Sequence, residues 1–205
     1  KCDAGRTPLL EAAVRGQTKV AKVLIELGAD VTASEKFGTS ALGLAVMSGN
    51  TTMVELILKS GVDINANTDS TKKTSAFTSL HIAASRPKAV IMRYLLMNGA
   101  NVNANGNLGY SPFHIAAYNG NIEGVKLLLE KGADLKSKTN TGATVLMEAA
   151  RGGRTEIAKL LIAEGANIHE TDNRGSTLLH LSSGDVELVK LDRKSTRLNS
   201  SHTSI

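Results

Sequence analysis

Two phrases in the middle of the chain decide its fold. Residues 109–117 read Gly-Tyr-Ser-Pro-Phe-His-Ile-Ala-Ala, and residues 127–134 read Leu-Leu-Leu-Glu-Lys-Gly-Ala-Asp. A serine followed by proline and apolar residues is typical of a helix start, because the hydroxyl accepts from free backbone N–H groups and proline has no N–H to lose. An apolar run that stops at glycine is typical of a helix end. The two phrases predict a pair of short helices.

The same pattern recurs along the chain. Its apolar anchor positions are spaced by 33, 38, 33, 33 and 33 residues: Leu9, Leu42, Leu80, Phe113, Leu146 and Leu179. A fixed period of this size predicts a solenoid, because one such unit cannot bury its apolar face without a stacked neighbour. The units run over about 5–37, 38–75, 76–108, 109–141 and 142–174, with an incomplete unit at 175–191.

Each unit carries signals for two helices. A hydroxyl side chain is expected to cap the first helix: Thr7, Ser40, Thr78, Ser111, Thr144 and Thr177. The second helix carries an inward apolar stripe, which in the first unit consists of Val20, Val23 and Leu24. A glycine ends this helix in five units: Gly28, Gly61, Gly99, Gly132 and Gly165. In the third unit Pro87 replaces the glycine of the turn between the helices, and we expect it to start the second helix.

Two regions depart from the regular pattern. The connection from Asn67 to Ser75 is polar and makes the second spacing five residues longer than the others, which predicts a long mobile finger. In the sixth unit the turn between the helices is two residues short, and we expect this unit to be poorly ordered. Neither end resembles a polar capping unit, so we interpret the chain as a fragment of a longer protein.

The units resemble the ankyrin repeat. The resemblance rests on the phrases at 109–117 and 127–134 and on their registered repetition over residues 3–191. It implies an all-α solenoid of stacked helix pairs, with hairpin loops that project at roughly a right angle and a concave face.

Residues 192–205 follow the last apolar pattern and begin Asp-Arg-Lys-Ser-Thr-Arg-Leu-Asn-Ser-Ser-His. This string resembles the translation of a sequencing-library adapter, and we interpret it as non-native; the alternative is a serine-rich disordered tail. The segment supplies part of the formal net charge of +5. In the units, lysine and glutamate are mixed on the outer helical faces, so we expect no nucleic-acid partner.

Three histidines share one register of the units: His81, His114 and His180. Stacking would place neighbours about 8–10 Å apart, which is too far for shared ligation of a zinc ion. The resemblance implies instead that this histidine hydrogen-bonds the backbone of a neighbouring loop. It also implies that Asn65 and Asn103 are potential substrates of an asparagine-hydroxylating oxygenase.

The sequence shows no catalytic motif. It holds no phosphate-binding loop, no nucleophile elbow and no His-Glu-x-x-His helix. Glu11, Glu148 and Asp185 stand alone and are interpreted as solvated or capping acids, and Cys2 has no adjacent base. We therefore expect no enzyme, with no catalytic residue, metal ion, cofactor or small-molecule substrate.

Signals for membranes and secretion are also missing from the sequence. No apolar run approaches the roughly 18–20 residues of a membrane span, and no signal peptide is visible. The single cysteine allows no internal disulfide, which favours a reducing compartment. We expect no membrane contact in this fragment and a cytoplasmic location, with the nucleus as an alternative.

Aromatic residues make up only 3% of the chain and indicate a candidate binding surface. Phe113 replaces a core leucine, and Tyr94 lies on the inward stripe of a second helix. The other four fall at hairpin-tip or first-helix positions that resemble the partner-facing groove of the family: Phe37, Phe77, Tyr110 and Tyr118. Corresponding positions elsewhere hold Arg6, Arg15, Met47, Arg86, Asn119 and Arg151.

Our hypothesis is that Met47, Phe77, Tyr110 and Tyr118 form an apolar strip flanked by arginines, which docks an extended or helical protein segment with acidic residues. The alternative is that these are scattered surface residues without a role, since single exposed apolar groups are normal.

The expected function is a protein–protein interaction module, a scaffold or adaptor that binds a protein of unknown identity along the concave groove and the hairpin tips. One alternative is a regulatory or substrate-recruiting segment of a larger enzyme, such as a kinase or ubiquitin ligase. A third reading is a module exposed on an ion channel.

Overall fold

Short α-helices in pairs build the described part of the chain. The computed structural model describes residues 5–67 and 77–182, together with Glu187 and Lys190. Within these residues the helices are α1 (Pro8–Val14), α2 (Thr18–Glu26), α3 (Ala41–Ser48), α4 (Thr51–Lys59), α5 (Ser79–Ala84), α6 (Val90–Met97), α7 (Pro112–Asn119), α8 (Ile122–Glu130), α9 (Val145–Arg151), α10 (Thr155–Ala163) and α11 (Leu178–Leu181). Residues 68–75 of the predicted finger, the short turn of the sixth unit and the 192–205 tail lie outside the described residues.

The helices stack in two rows. Each odd-numbered helix contacts the next odd-numbered helix, and each even-numbered helix packs behind its own partner. Buried alanines such as Ala13, Ala84 and Ala117 let the odd-numbered helices approach closely, while larger residues such as Ile57 and Leu95 come from the even-numbered row. These side chains form one continuous apolar cluster along the stack. The predicted all-α solenoid is confirmed.

Local signals at the helix ends are also confirmed. Every predicted hydroxyl residue occupies the N-cap of an odd-numbered helix; for example, the Ser40 side chain accepts from the backbone N–H of Gly43 at 3.2 Å. The predicted glycines follow the even-numbered helices in the left-handed region of backbone space.

Asparagine side chains connect successive loops. The Asn65 amide donates to the carbonyl of Gly99 at 3.3 Å, and its oxygen accepts from the backbone N–H of Asn101 at 2.8 Å. Asn103 makes the same two bonds to Gly132 and Asp134. Both asparagines therefore hold the loops of neighbouring units in register.

The predicted apolar stripe of α2 is partly wrong. Val20 and Val23 are 48% and 53% exposed, and the helix turns Ala21 to the core instead. One unit later, Met53 occupies the register of Val20 and is fully buried. The difference arises because α2 has no helix pair on its outer side in the described chain, whereas α4 packs against α2.

Pro87 does not start the second helix of its unit, contrary to our prediction. Helix α5 ends at Ala84 and α6 begins at Val90, so Pro87 lies in the turn between them. The stacking register sets the helix start, because Ile91 and Leu95 occupy the buried positions that Met53 and Ile57 hold in α4.

Candidate functional site

A cavity of about 350 Å³ opens on the face formed by α3, α5 and α7. We call it the groove cavity; its lining residues are Met47, Phe77, His81, Ile82, Ser85, Arg86 and Ile115. Three residues of the predicted site meet here: Met47, Phe77 and Arg86. The walls are mainly apolar, and the guanidinium is the one permanently charged group among them. Such a lining suits an apolar side chain that lies next to an anion.

Met47 and Phe77 both line the groove cavity. Met47 lies near the end of α3 and is 46% exposed. Phe77 directly precedes Thr78, the N-cap residue of α5, and its ring lies 5.3 Å from the His81 ring, centroid to centroid. The ring contact holds Phe77 against the start of α5.

His81 is fixed by its hydrogen bonds. Its Nδ1 accepts from the backbone N–H of Thr78 at 3.0 Å, and its Nε2 lies 3.0 Å from the carbonyl oxygen of Tyr110. These partners require the proton on Nε2. Burial lowers the pKa of His81 to about 4, so the ring is neutral at pH 7. The bond to Tyr110 joins two units, which is the role that the resemblance implied.

Tyr110 belongs to a separate cluster. Its hydroxyl donates to Glu148 Oε1 at 3.4 Å, and Arg151 Nη1 lies 3.0 Å from the same carboxylate oxygen. Glu148 is only 1% exposed, and burial raises its pKa, while the Arg151 charge acts in the opposite direction. The interpretation of Glu148 as an isolated solvated acid is therefore wrong, because the stacking of α9 on α7 buries it beside Tyr110.

A similar set of ion pairs covers the first unit. Arg6 Nε lies 2.7 Å from Glu35, and Arg15 Nε lies 2.6 Å from Glu11, which also pairs with Arg6 at 3.5 Å. Glu11 is therefore not isolated either.

Arg86 differs from the other predicted arginines. Arg6, Arg15 and Arg151 each have a carboxylate within 4.0 Å, whereas within residues 5–67 and 77–182 no carboxylate lies that close to Arg86. Its guanidinium group borders the groove cavity.

The remaining predicted site residues lie away from the groove cavity. Phe37 is 69% exposed at a hairpin tip, and Tyr118 is 45% exposed near the end of α7. Asn119 is exposed, and its amide donates to the carbonyl of Ile115 at 2.9 Å. The structure thus places Met47 and Phe77 together and leaves Tyr110 and Tyr118 outside their cavity.

Sequence reasoning missed two lining residues, Ile82 and Ile115. They occupy the same register, directly after His81 and His114. The second unit holds Leu44 there, whereas the first and fifth hold Glu11 and Glu148. At this register the residue is acidic in the first unit, apolar in the second to fourth units and acidic again in the fifth. This pattern in the sequence is a signal that could have located the groove cavity.

The described part of the chain shows neither a metal-binding cluster nor a membrane-spanning helix. There, no group of three or more His, Cys, Asp or Glu residues is arranged to hold a metal ion. None of the described helices combines the length and the apolar character that crossing a membrane requires.

A family model described as ankyrin repeats matches the chain in three copies, over residues 1–68, 66–139 and 134–191. The chain belongs to the ankyrin repeat family. Ankyrin repeats are generally protein–protein interaction modules and are typically non-catalytic. A comparison with curated proteins gives no match.

In this ankyrin array, replacing the buried carboxyl of Glu148 tests its environment. Because the folded-state pKa is raised, the folded chain holds this proton more tightly than the unfolded chain, and its contribution to stability decreases as the pH rises through the folded pKa. The Glu148→Gln variant does not lose stability in this way, because glutamine does not titrate. We expect the urea midpoint of Glu148→Gln to rise relative to wild type between pH 4.5 and 7.

The exposed Glu164 provides the control for this ankyrin variant, since Glu164→Gln should follow wild type across the same pH range. A midpoint difference between Glu148→Gln and wild type that is independent of pH would contradict the raised pKa.

Proposed function

We propose that this chain is a scaffold or adaptor that docks a protein segment along the groove face and the hairpin tips. The groove cavity carries the proposal. Met47, Phe77, Ile82 and Ile115 offer an apolar contact area on the surface, and Arg86 next to them has no carboxylate partner among the described residues. Apolar anchors beside an unpaired arginine are the composition of interface hot spots.

The partner's segment carries one bulky apolar side chain for the groove cavity and an acidic residue for Arg86. Phe37, Tyr118 and Asn119, with Arg6, Arg15, Tyr110 and Arg151, form the rim of this interface, where contacts contribute less to affinity. The segment is extended or helical, since both forms fit a groove that runs across successive units.

A protein partner is favoured over nucleic acid because acidic residues are interspersed with the cations of the array, and several of the cations are paired. Lys59 lies 2.6 Å from Glu55, and Lys138 lies 2.6 Å from Glu170. Such pairs leave no continuous stripe for phosphates. We place the module in the cytoplasm or nucleus, without a cofactor or a small-molecule substrate. The alternative function, a substrate-recruiting segment of a larger enzyme, would use the same groove, so it predicts the same binding of a protein segment.

Removing the Phe77 ring tests the proposed docking site. Peptides selected from a random twelve-residue display library on the full chain serve as probes, and their affinity is measured by fluorescence anisotropy. We expect Phe77→Ala to weaken binding at least tenfold, because hot-spot aromatics contribute about 2 kcal/mol or more. Adding Tyr110→Ala should reduce the affinity by a smaller further factor, because Tyr110 lies at the rim of the proposed interface.

The exposed Leu27 at the end of α2 provides the control, because it lies far from α5 and is 79% exposed. Leu27→Ala should bind the peptides like wild type, and urea midpoints should show that the variants are folded. Unchanged affinity of the Phe77→Ala/Tyr110→Ala variant would remove the proposal.

A further inference from the structure

A second cleft of about 360 Å³ lies between the helix–helix turns of the second and third helix pairs. We call it the turn cleft; its lining residues are Val46, Met47, Ser48, Gly49, Thr51, Ala83, Arg86, Pro87, Lys88, Val90 and Ile91. Met47 and Arg86 line both the turn cleft and the groove cavity. The two hollows are therefore neighbours that share one wall.

The turn cleft exists because a contact found at other junctions is missing here. Asn50 donates to the carbonyl of Gly16 at 3.0 Å, Asn121 to that of Arg86 at 2.6 Å, and Arg154 to that of Tyr118 at 3.1 Å. Each of these side chains crosses from one turn to the preceding one. Lys88 holds the same register in the third unit, and its side chain makes no such bond within the described residues.

The apolar floor of the turn cleft is unusual for its position. Val46, Ala83 and Ile91 are buried beneath it, while Val90 is 61% exposed at the first position of α6. Every other unit holds a polar residue at the register of Val90: Lys19, Thr52, Glu123 and Glu156. Val90 therefore extends the apolar floor to the surface at a register that is otherwise polar.

The charges at the rim of the turn cleft indicate the chemistry of a group that would bind there. Arg86 and Lys88 are both exposed, and in the part of the chain that the structure describes no carboxylate lies within 4.0 Å of either. Exposed lysines such as Lys126 and Lys131 share this property, so the distinguishing feature of Arg86 and Lys88 is their position beside the apolar floor. Two cations without a carboxylate partner beside an apolar floor are complementary to an anion next to an apolar group.

We infer that the turn cleft binds a bulky aliphatic side chain of a partner protein whose neighbouring acidic residue pairs with Arg86 and Lys88. The inference rests on the proposed docking function and extends it. The same partner segment leaves the groove cavity, passes Met47 and enters the turn cleft, because the two hollows share Met47 and Arg86. Recognition thus depends on two apolar residues of the partner with acidic residues beside them.

Two exposed residues of the turn cleft allow a test that spares the fold. Val90→Glu introduces the residue that the fourth and fifth units already carry at this register, Glu123 and Glu156. Lys88→Glu reverses a charge on an exposed side chain. Both variants of the full chain are measured against the display-selected peptides by fluorescence anisotropy. We expect each variant to weaken binding at least tenfold.

Matched substitutions away from the turn cleft provide the controls. Val23→Glu changes another exposed valine of an even-numbered helix, and Lys131→Glu reverses another exposed lysine. Both should bind like wild type. In the selected peptides, replacing the second apolar residue by alanine should reduce affinity by the same factor as Val90→Glu. Replacing its acidic neighbour by the amide should reduce affinity by the same factor as Lys88→Glu. When a peptide change is combined with its matching protein variant, the loss of affinity should be no larger than that of either change alone.

The outcomes separate this inference from the docking function. If Phe77→Ala weakens binding while Val90→Glu and Lys88→Glu do not, the turn cleft is not a binding site and the groove proposal stands. If none of these variants weakens binding, both proposals fail. A library that yields no binder, or binders without acidic residues, also contradicts the inference.

Discussion

We expect that lowering the pH from 7 to 5 reduces the free energy of unfolding of this ankyrin array by about 2 kcal/mol for each of His81 and His114. Burial lowers the pKa of both rings to about 4, whereas the ordinary value of 6.5 applies in the unfolded chain. Between pH 6.5 and 4 the unfolded chain therefore binds protons that the folded chain does not, and stability falls with the pH. Hydrogen bonding adds to this, because each Nδ1 already accepts from a backbone N–H, of Thr78 or Ser111.

Urea denaturation followed by circular dichroism at pH 7, 6 and 5 measures this effect. The variant His81→Leu/His114→Leu introduces a residue that the first unit already carries at this register, Leu10. It should be less stable than wild type at pH 7, because it lacks the hydrogen bonds. Between pH 7 and 5 it should lose about 4 kcal/mol less than wild type, since neither position titrates.

An exposed histidine gives the control for this experiment. His169→Gln should show the same pH dependence as wild type, because it changes a residue outside the stacked core. Equal losses of stability in wild type and in the His81→Leu/His114→Leu variant would contradict the assignment of the acid sensitivity to the two buried rings.

Gly109→Ala should destabilise the array by about 3 kcal/mol, and Gly132→Ala by only about 1 kcal/mol. Both glycines have a positive φ, 77° and 83°, which disfavours alanine equally. A Cβ at Gly132 would meet open space, whereas one at Gly109 would lie 2.7 Å from the backbone nitrogen of Asn140. That nitrogen donates to the Leu108 carbonyl at 2.9 Å, so the added methyl group forces two stacked hairpin tips apart.

Urea midpoints of the two variants test this difference, and Gly132→Ala serves as the control for backbone strain alone. A Gly109→Ala variant that is no less stable than Gly132→Ala would show that the hairpin tips do not stack as closely as the structure has them. The comparison also reports on the groove face, because its loops are held by such contacts between tips.

Features that depend on neighbours in sequence could be predicted well. The hydroxyl N-caps such as Ser111 and the helix-ending glycines such as Gly132 act within one turn of chain, so each unit contains the whole signal. The period then predicts the stack, because each unit can bury its apolar face only against a neighbouring unit. Where no helix pair covers that face, as at Val20, the same reasoning failed.

The candidate site could be predicted only in part. Aromatic and arginine composition indicated Met47, Phe77 and Arg86, and these three do surround one cavity. The same composition gave Arg86 and Arg151 equal weight, although Arg151 is paired with Glu148. Pairing depends on distances across units, and a pattern within one unit does not contain them.

The amino-acid sequence alone determines that this protein is an all-α ankyrin solenoid, because capping, helix ends and the period are local and repeated. Only the tertiary structure decides which of its similar residues are available to a partner. It buries Glu148, pairs Arg6 and leaves Arg86 and Val90 exposed beside open hollows. The physical reason is that burial and charge pairing arise from the packing of one unit on the next, and a single change such as Lys88 at the register of Asn50 and Asn121 removes a contact at one junction.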